Sequence, residues 1–212
     1  MPKKKTLIEQ NKPTLYSFII LNIVIGYIFL FISDPSIDKA NEFLAKITIK
    51  QGVFTLVIPF IVLILTSLLS SNTKYKLIFF RFNNPLPGSR AFSKLMFKDP
   101  RIDVVNLEKK YSPFPEKASE QNSLWYKIYQ KHRNNNIVIA SHRKFLLLRE
   151  LATISFLLWL AVIIVLFIFK SEFSNSNDYI IFLLVQFILL NVGARNLGVR
   201  FTCNVLTEES IN

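Results

Sequence analysis

The chain has 212 residues, about half of them apolar, with 26 Lys and Arg against 14 Asp and Glu and a formal net charge of +12. Its apolar residues are bunched rather than periodic, which excludes an ordinary soluble core: a soluble helix seldom keeps more than about 14 apolar residues unbroken, whereas a hydrocarbon layer of about 30 Å takes roughly 20 at 1.5 Å per residue. The single cysteine, Cys203, excludes a disulfide framework within the chain.

Residues 1–13 form a basic tail with Lys3, Lys4, Lys5 and Lys12. An apolar run from Leu15 to Ile32 follows, softened by Ser17, Asn22 and Gly26, and predicts a first span over 14–33. Basic residues before an apolar run also mark secretory signals. This run is longer than the core of about 7–15 residues such signals carry, and Ser33-Asp34-Pro35 offers no small-residue cleavage site, so the segment is expected to stay as an anchor. In the loop 34–50, Ile37, Phe43, Leu44 and Ile47 recur at helical spacing beside Lys39 and Lys46, the pattern of a short interfacial helix. Val53 to Leu69, around Pro59, predicts a second span over 51–70.

The region 71–150 carries sixteen basic and six acidic residues, yet holds enough aromatic and aliphatic residues to argue against a disordered tail. Helix-start signals recur in it: Ser89 before Arg-Ala-Phe-Ser-Lys-Leu-Met-Phe, Asp99 before Pro100, and Ser119 before Glu120-Gln121-Asn122. The last helix carries Leu124, Trp125, Ile128 and Tyr129 on one stripe, with Lys127, Lys131 and Arg133 away from it. From Ser141 the pattern has no break until Phe169, which predicts a single helix carrying a third span over 151–169. After a loop at 170–178, Tyr179 to Val199 predicts a fourth span, interrupted by Gln186, Asn191 and Arg195, and 200–212 forms a tail.

The fold class expected is therefore an all-α integral membrane protein with four transmembrane helices and a mostly helical cytoplasmic loop domain. Orientation follows from Lys and Arg, which resist translocation. The N-terminal tail has four, the 71–150 loop sixteen, and Arg195 and Arg200 add two on the same side, against four in 34–50 and 170–178. Both termini and the large loop are expected in the cytoplasm. There Cys203 would remain a reduced thiol, with palmitoylation as its functional alternative.

Several residues invite a functional reading beside a plain one. Pro85-Leu86-Pro87-Gly88 fixes a turn after which Arg90 and Arg101 present planar guanidinium forks suited to phosphate, while the plain reading pairs them with Asp99 and Asp103. Trp125, Tyr126 and Tyr129 form either a partner-binding face or a packed helix with rings at headgroup level. Gln186, Asn191 and Arg195, with Asn22, either bond helix to helix or line a polar path in an assembled oligomer. His132 and His142 are ten apart without Cys or acidic partners at ligand spacing, so both are expected on the cationic membrane-proximal surface rather than at a metal, and no catalytic residue or cofactor motif stands out. The basic loop suits anionic lipid, and its interleaved aromatics also admit RNA contact.

At the loop residues Pro85-Leu86-Pro87-Gly88-Ser89-Arg90-Ala91-Phe92, Asp99-Pro100-Arg101-Ile102-Asp103, Glu120-Gln121-Asn122 with Trp125-Tyr126 and Tyr129, and His142-Arg143-Lys144-Phe145, the chain resembles small four-span bacterial membrane proteins that accompany anti-phage systems. Among these are the accessory membrane proteins of type VI-B CRISPR nucleases and those of deaminase-based defence operons. The resemblance implies a non-enzymatic, oligomeric protein of the bacterial inner membrane. Such a protein would modulate or execute defence with a cytoplasmic protein partner, by forming a pore or by anchoring an effector; a small channel or transporter is the third reading.

Overall fold

The computed structural model describes residues 6–31, 49–168 and 176–211. Every regular element among them is helical. In chain order these are α1 Leu7–Phe31, α2 Ile49–Leu68, α3 Ser71–Phe79, a 3-10 turn Pro87–Arg90, a π turn Ala91–Leu95, α4 Val104–Tyr111, α5 Ala118–His132, α6 Asn136–Ile168 and α7 Ser176–Ile211. The interfacial helix expected around Ile37 to Ile47 lies outside the described residues. Among the described residues, three helical stretches are long and apolar enough to cross a membrane: Leu7–Phe29, Asn136–Ile168 and Asn177–Ile211.

The chain divides into two compact units. The apolar unit comprises Lys12–Ser70 and Glu150–Leu190. Its core joins Ile19, Val62, Ile154, Leu158, Val162, Tyr179 and Leu183. Gly26 permits the closest approach, since a Cβ there would stand 2.6 Å from the Tyr179 Oη, the small-residue contact by which apolar helices pack tightly. Outside this core the unit is inverted relative to a soluble protein. Ile20, Val24, Phe60, Ile64, Phe167, Ile181 and Leu189 are all exposed, far more apolar surface than a soluble monomer shows.

The basic unit comprises Met1–Asn11, Ser71–Arg149 and Asn191–Asn212. Its core gathers Ile78, Phe92, Met96, Leu107, Ile128, Val138, Phe145, Phe201, Val205 and Leu206. The residues read as a plain tail thus continue α7 and run through the core: 201–207 are buried at every position. A helix buried all round has no stripe, which is why periodicity does not disclose it.

The end of α7 is held by a clasp on Glu209. The Tyr111 hydroxyl donates to Glu209 Oε1 at 2.5 Å, the Lys131 ammonium reaches the same oxygen at 3.2 Å, and His132 Nε2 lies 2.6 Å from Oε2. Burial alone would raise this carboxyl, and the three hydrogen-bond partners more than reverse it, leaving its pKa below the ordinary value. The last carbonyls of α7 are satisfied from outside the helix: Lys110 Nζ donates to Glu209 O and Asn106 Nδ2 to Ser210 O, as a buried helix end requires.

The helix starts differ from the sequence expectation, each for a local reason. Ser89 lies inside the 3-10 turn and donates its hydroxyl to the carbonyls of Asn84 and Leu86, tightening the turn rather than capping a helix. The cap after Asp99-Pro100 is Asp103, which accepts from the Asn106 N–H at 3.0 Å; Asp99 instead takes the Arg101 guanidinium. Helix α5 begins before Ser119, with Lys117 at the N-cap and no side-chain hydrogen bond there. Helix α6 starts five residues ahead of Ser141, because Asn135 Oδ1 accepts from the N–H of Ile137 at 2.8 Å. At the head of α1, Thr6 and Glu9 form a reciprocal capping box.

Glu209→Ala is expected to destabilise the basic unit by about 2–4 kcal/mol, because it removes the buried acceptor that Tyr111, Lys131 and His132 share. Lys131→Ala should cost less than about 1 kcal/mol, its side chain being 56% exposed. Denaturant unfolding of the detergent-solubilised protein, followed by tryptophan fluorescence, checks both; equal losses would show that Glu209 is not the centre of the clasp.

Candidate functional site: an aromatic cavity in the basic unit

Helix α5 turns Trp125 and Tyr129, one turn apart, toward α6 and α7. Their rings stack at 5.8 Å, and both meet Phe201 edge-on at 5.4 Å. His142 of α6 stacks on Phe201, 4.5 Å between centroids and 9° from parallel, and meets Tyr129 edge-on. Phe145 and Tyr75 continue the array. The indole of Trp125 donates to the Thr202 carbonyl at 3.3 Å, fixing its plane.

These rings surround a half-open cavity of about 320 Å³, closed on one side by Leu86, Pro87 and Gly88 and bordered at its polar edge by Gln130, Arg133 and Thr202. Glycine is required in the closing turn: a Cβ at position 88 would stand 2.8 Å from Trp125 Cε3 and 2.5 Å from Asn122 Oδ1. The rigid Pro-Leu-Pro-Gly segment of the sequence therefore serves as a wall, brought against a tryptophan 37 residues later.

His142 faces this array as a neutral ring. Burial first, and the nearby Arg149 second, push its pKa down to about 4. Its Nδ1 lies 3.1 Å from the Tyr129 hydroxyl, and burial also raises the Tyr129 phenol, so both stay uncharged near neutrality. The only cation on the lining is Arg133, an exposed side chain whose guanidinium contacts Gln130 Oε1 at 3.4 Å and pairs with no carboxylate among the described residues.

Of the residues singled out in the sequence, Trp125, Tyr126 and Tyr129 come together on this cavity. Arg90 and Arg101 do not join them or each other. Arg101 is held by Asp99 at 2.6 Å and by Asn204 at 3.0 Å, beside a separate, open depression shared with Lys98 and Arg200. Arg90 is half-buried, and its Nε has no hydrogen-bond partner among the described residues. Its pKa is lowered by desolvation first and by the neighbouring Arg81 second.

The membrane-path candidates also separate. Asn191 Nδ2 donates to the Leu77 carbonyl at 3.2 Å and Arg195 Nε to the Ile78 carbonyl at 2.5 Å, which places both on the last turn of α3 within the basic unit. Gln186 accepts from Ser155 at 3.1 Å in the apolar unit. Asn22, buried there, donates to its own helix at Phe18 and leaves its Oδ1 without a partner among the described residues. Cys203 is buried in the core and its thiol is raised to about 11, chiefly by that burial, so the buried thiol is not presented for acylation.

Sequence reasoning missed Arg133, His142 and Phe201 as parts of the cavity. The spacing of Trp125 and Tyr129 is visible in the sequence, but Phe201 stands in an apparent tail, and His142, expected on a cationic surface, is instead a largely buried neutral ring. Compared with known proteins, the chain matches no family model, no curated protein and no solved structure.

The sign of the His142 shift fixes a pH dependence. Its pKa lies below that of the unfolded chain, so its contribution is complete above about pH 6.5 and is lost as pH falls toward about 4. Lowering pH from 7.5 to 5.5 should cost the basic unit about 1 kcal/mol through this ring. His142→Phe keeps the stack on Phe201 and should remove that part of the slope. Unfolding midpoints of the two proteins at the two pH values provide the measurement; an unchanged slope would mean that His142 is not the titrating group.

Proposed function

We propose that this protein is a non-enzymatic, oligomeric accessory or effector of an anti-phage defence system in a bacterial inner membrane. It crosses the membrane four times, with both termini and the basic unit in the cytoplasm. The observation that carries this reading is the segregation of charge from apolar surface. The apolar unit exposes Ile, Leu and Phe side chains, as helices facing lipid do, and the stretches 13–31, 51–70, 151–168 and 179–190 contain no charge. The basic unit carries the sixteen Lys and Arg residues of 71–149, which favours the side that need not be translocated.

In this role the basic unit receives a signal and the apolar unit responds. Helices α6 and α7 each supply residues to both units, 136–149 and 150–168 in one, 176–190 and 191–211 in the other. The output is ion leakage along a polar path through the assembled apolar unit, for which Asn22 and Gln186 are the candidates that remain. The orphaned Asn22 Oδ1 favours this use, since an unsatisfied acceptor at membrane depth ordinarily marks function. A scaffold that anchors a soluble nuclease through the basic unit is the second reading, favoured by Arg90, which lies beside Arg81 and whose own Nε has no hydrogen-bond partner among the described residues.

In cells carrying the gene with its flanking genes, phage challenge should depolarise the membrane, read with a potential-sensitive dye, and Asn22→Leu should reduce the response. A full response in that variant removes the path. No depolarisation in the wild type, together with a partner lost in pull-downs of Arg81→Glu/Arg90→Glu, selects the scaffold. Topology is tested in a Cys203→Ser background with Phe82→Cys, a position 82% exposed. A membrane-impermeant maleimide should label it only after permeabilisation, and labelling of intact cells overturns the arrangement.

A further inference from the structure

We infer that the aromatic cavity of the basic unit binds a nucleotide, with the base among the rings and the phosphate on Arg133; this rests on the reading of that unit as the receiver of a signal. The volume of about 320 Å³ stands at the lower end of small-molecule sites, roughly 300–1,000 Å³. That suits one mononucleotide unit and argues against a dinucleotide cofactor. The rings of Trp125, Tyr129 and Phe201 are fixed by their mutual contacts, while Tyr126, tilted against Tyr129 on the lining, is 53% exposed and offers an entering ring an open aromatic surface. Stacking on such rings stabilises a base by about 1–3 kcal/mol and tolerates every base.

Charge decides between flat ligands. The walls are neutral, and the only cation on the lining is the guanidinium of Arg133 at the polar edge, unpaired with any carboxylate among the described residues. A ligand that fits has a planar polar-edged body and one compact anionic group, matched by a guanidinium fork. Gln130 beside it offers an amide for the edge of the base. A hydrocarbon chain would leave that amide and the guanidinium without a use. The same chemistry is offered by a free nucleotide and by the 5′-phosphorylated end of single-stranded RNA.

The test uses the full-length protein in detergent with Trp159→Phe, which leaves Trp125 as the sole indole. AMP, GMP, CMP, UMP, adenosine and a 5′-phosphorylated oligoadenylate are titrated while Trp125 fluorescence is read. Saturable quenching by at least one phosphorylated probe is expected. Arg133→Glu should weaken that probe by about tenfold or more and leave adenosine unaffected, and Tyr126→Ala should weaken both by about tenfold. Both side chains are exposed, and circular dichroism verifies that the variants fold. Quenching by mononucleotides alone assigns a free nucleotide, and by the oligonucleotide alone an RNA end. The inference is overturned if no phosphorylated probe quenches a folded protein, if Arg133→Glu binds the probe as well as wild type, or if oleate saturates the site and nucleotides do not. The readout needs neither a membrane nor phage. Saturable quenching in a protein without effect on membrane potential would thus overturn the proposed output and leave the ligand assignment standing.

Discussion

The basic unit depends on burying the last three turns of α7. Residues 201–207 have no exposed side, so their polar members must find partners inside the protein. Thr202 and Thr207 return their hydroxyls to the carbonyls four residues back, and Ser210 to the carbonyl three back. Asn204 accepts from Arg101, and Glu209 gathers Tyr111, Lys131 and His132. Each of these partners comes from the 71–149 segment, so the middle of the sequence folds around its end. Hydrogen bonds to a buried carboxylate contribute more than surface pairs of the same length.

The same burial shapes the cavity. Phe201 sits at the meeting point of Trp125, Tyr129, His142 and Phe145, and each ring restricts the rotamers of the next. A protonated imidazole stacked on that ring would be a desolvated cation beside Arg149, so the environment holds His142 neutral. The consequence is a pocket with uncharged walls inside a strongly cationic unit. The surrounding charge raises the local concentration of anions, while the neutral wall leaves selection to shape and to the single guanidinium at the edge.

What could be read in the sequence was what depends on local pattern. Apolar runs longer than a soluble helix needs gave the helices of the apolar unit, and the Trp125–Tyr129 spacing gave the inward stripe of α5. Three things escaped. The burial of 201–210 escaped because its partners lie about 100 residues away and Thr, Asn, Ser and Glu interrupt its few apolar residues. The helix starts shifted because several capping oxygens compete in one stretch, and Asp99 was taken by the stronger, charged interaction with Arg101. Arg90 and Arg101 are the same residue type in similar sequence settings, yet among the described residues only Arg101 of the two pairs with a carboxylate.

Asn191 and Arg195 show how a polar residue near a predicted span can belong to something else. Helix α3 ends with Phe80 at φ 48°, a left-handed conformation that glycine adopts freely and a phenylalanine does not. That conformation costs about 1–2 kcal/mol. Arg195 offsets it twice: its Nε takes the Ile78 carbonyl, and its guanidinium lies 4.3 Å over the Phe80 ring. The charged hydrogen bond and the cation–π contact both oppose this strain, while Arg195 Nη2 stays buried without a hydrogen-bond partner among the described residues. Asn191 takes the neighbouring Leu77 carbonyl and completes the cap. The chain then leaves through Asn84, again left-handed at φ 46°, and Ser89 ties that residue's carbonyl into the Pro87–Arg90 turn. That turn lays Gly88 against Trp125. The arginine that interrupts the fourth apolar run therefore fixes the path by which the proline-glycine wall reaches the cavity, and its guanidinium is used on the Ile78 carbonyl and the Phe80 ring within the basic unit.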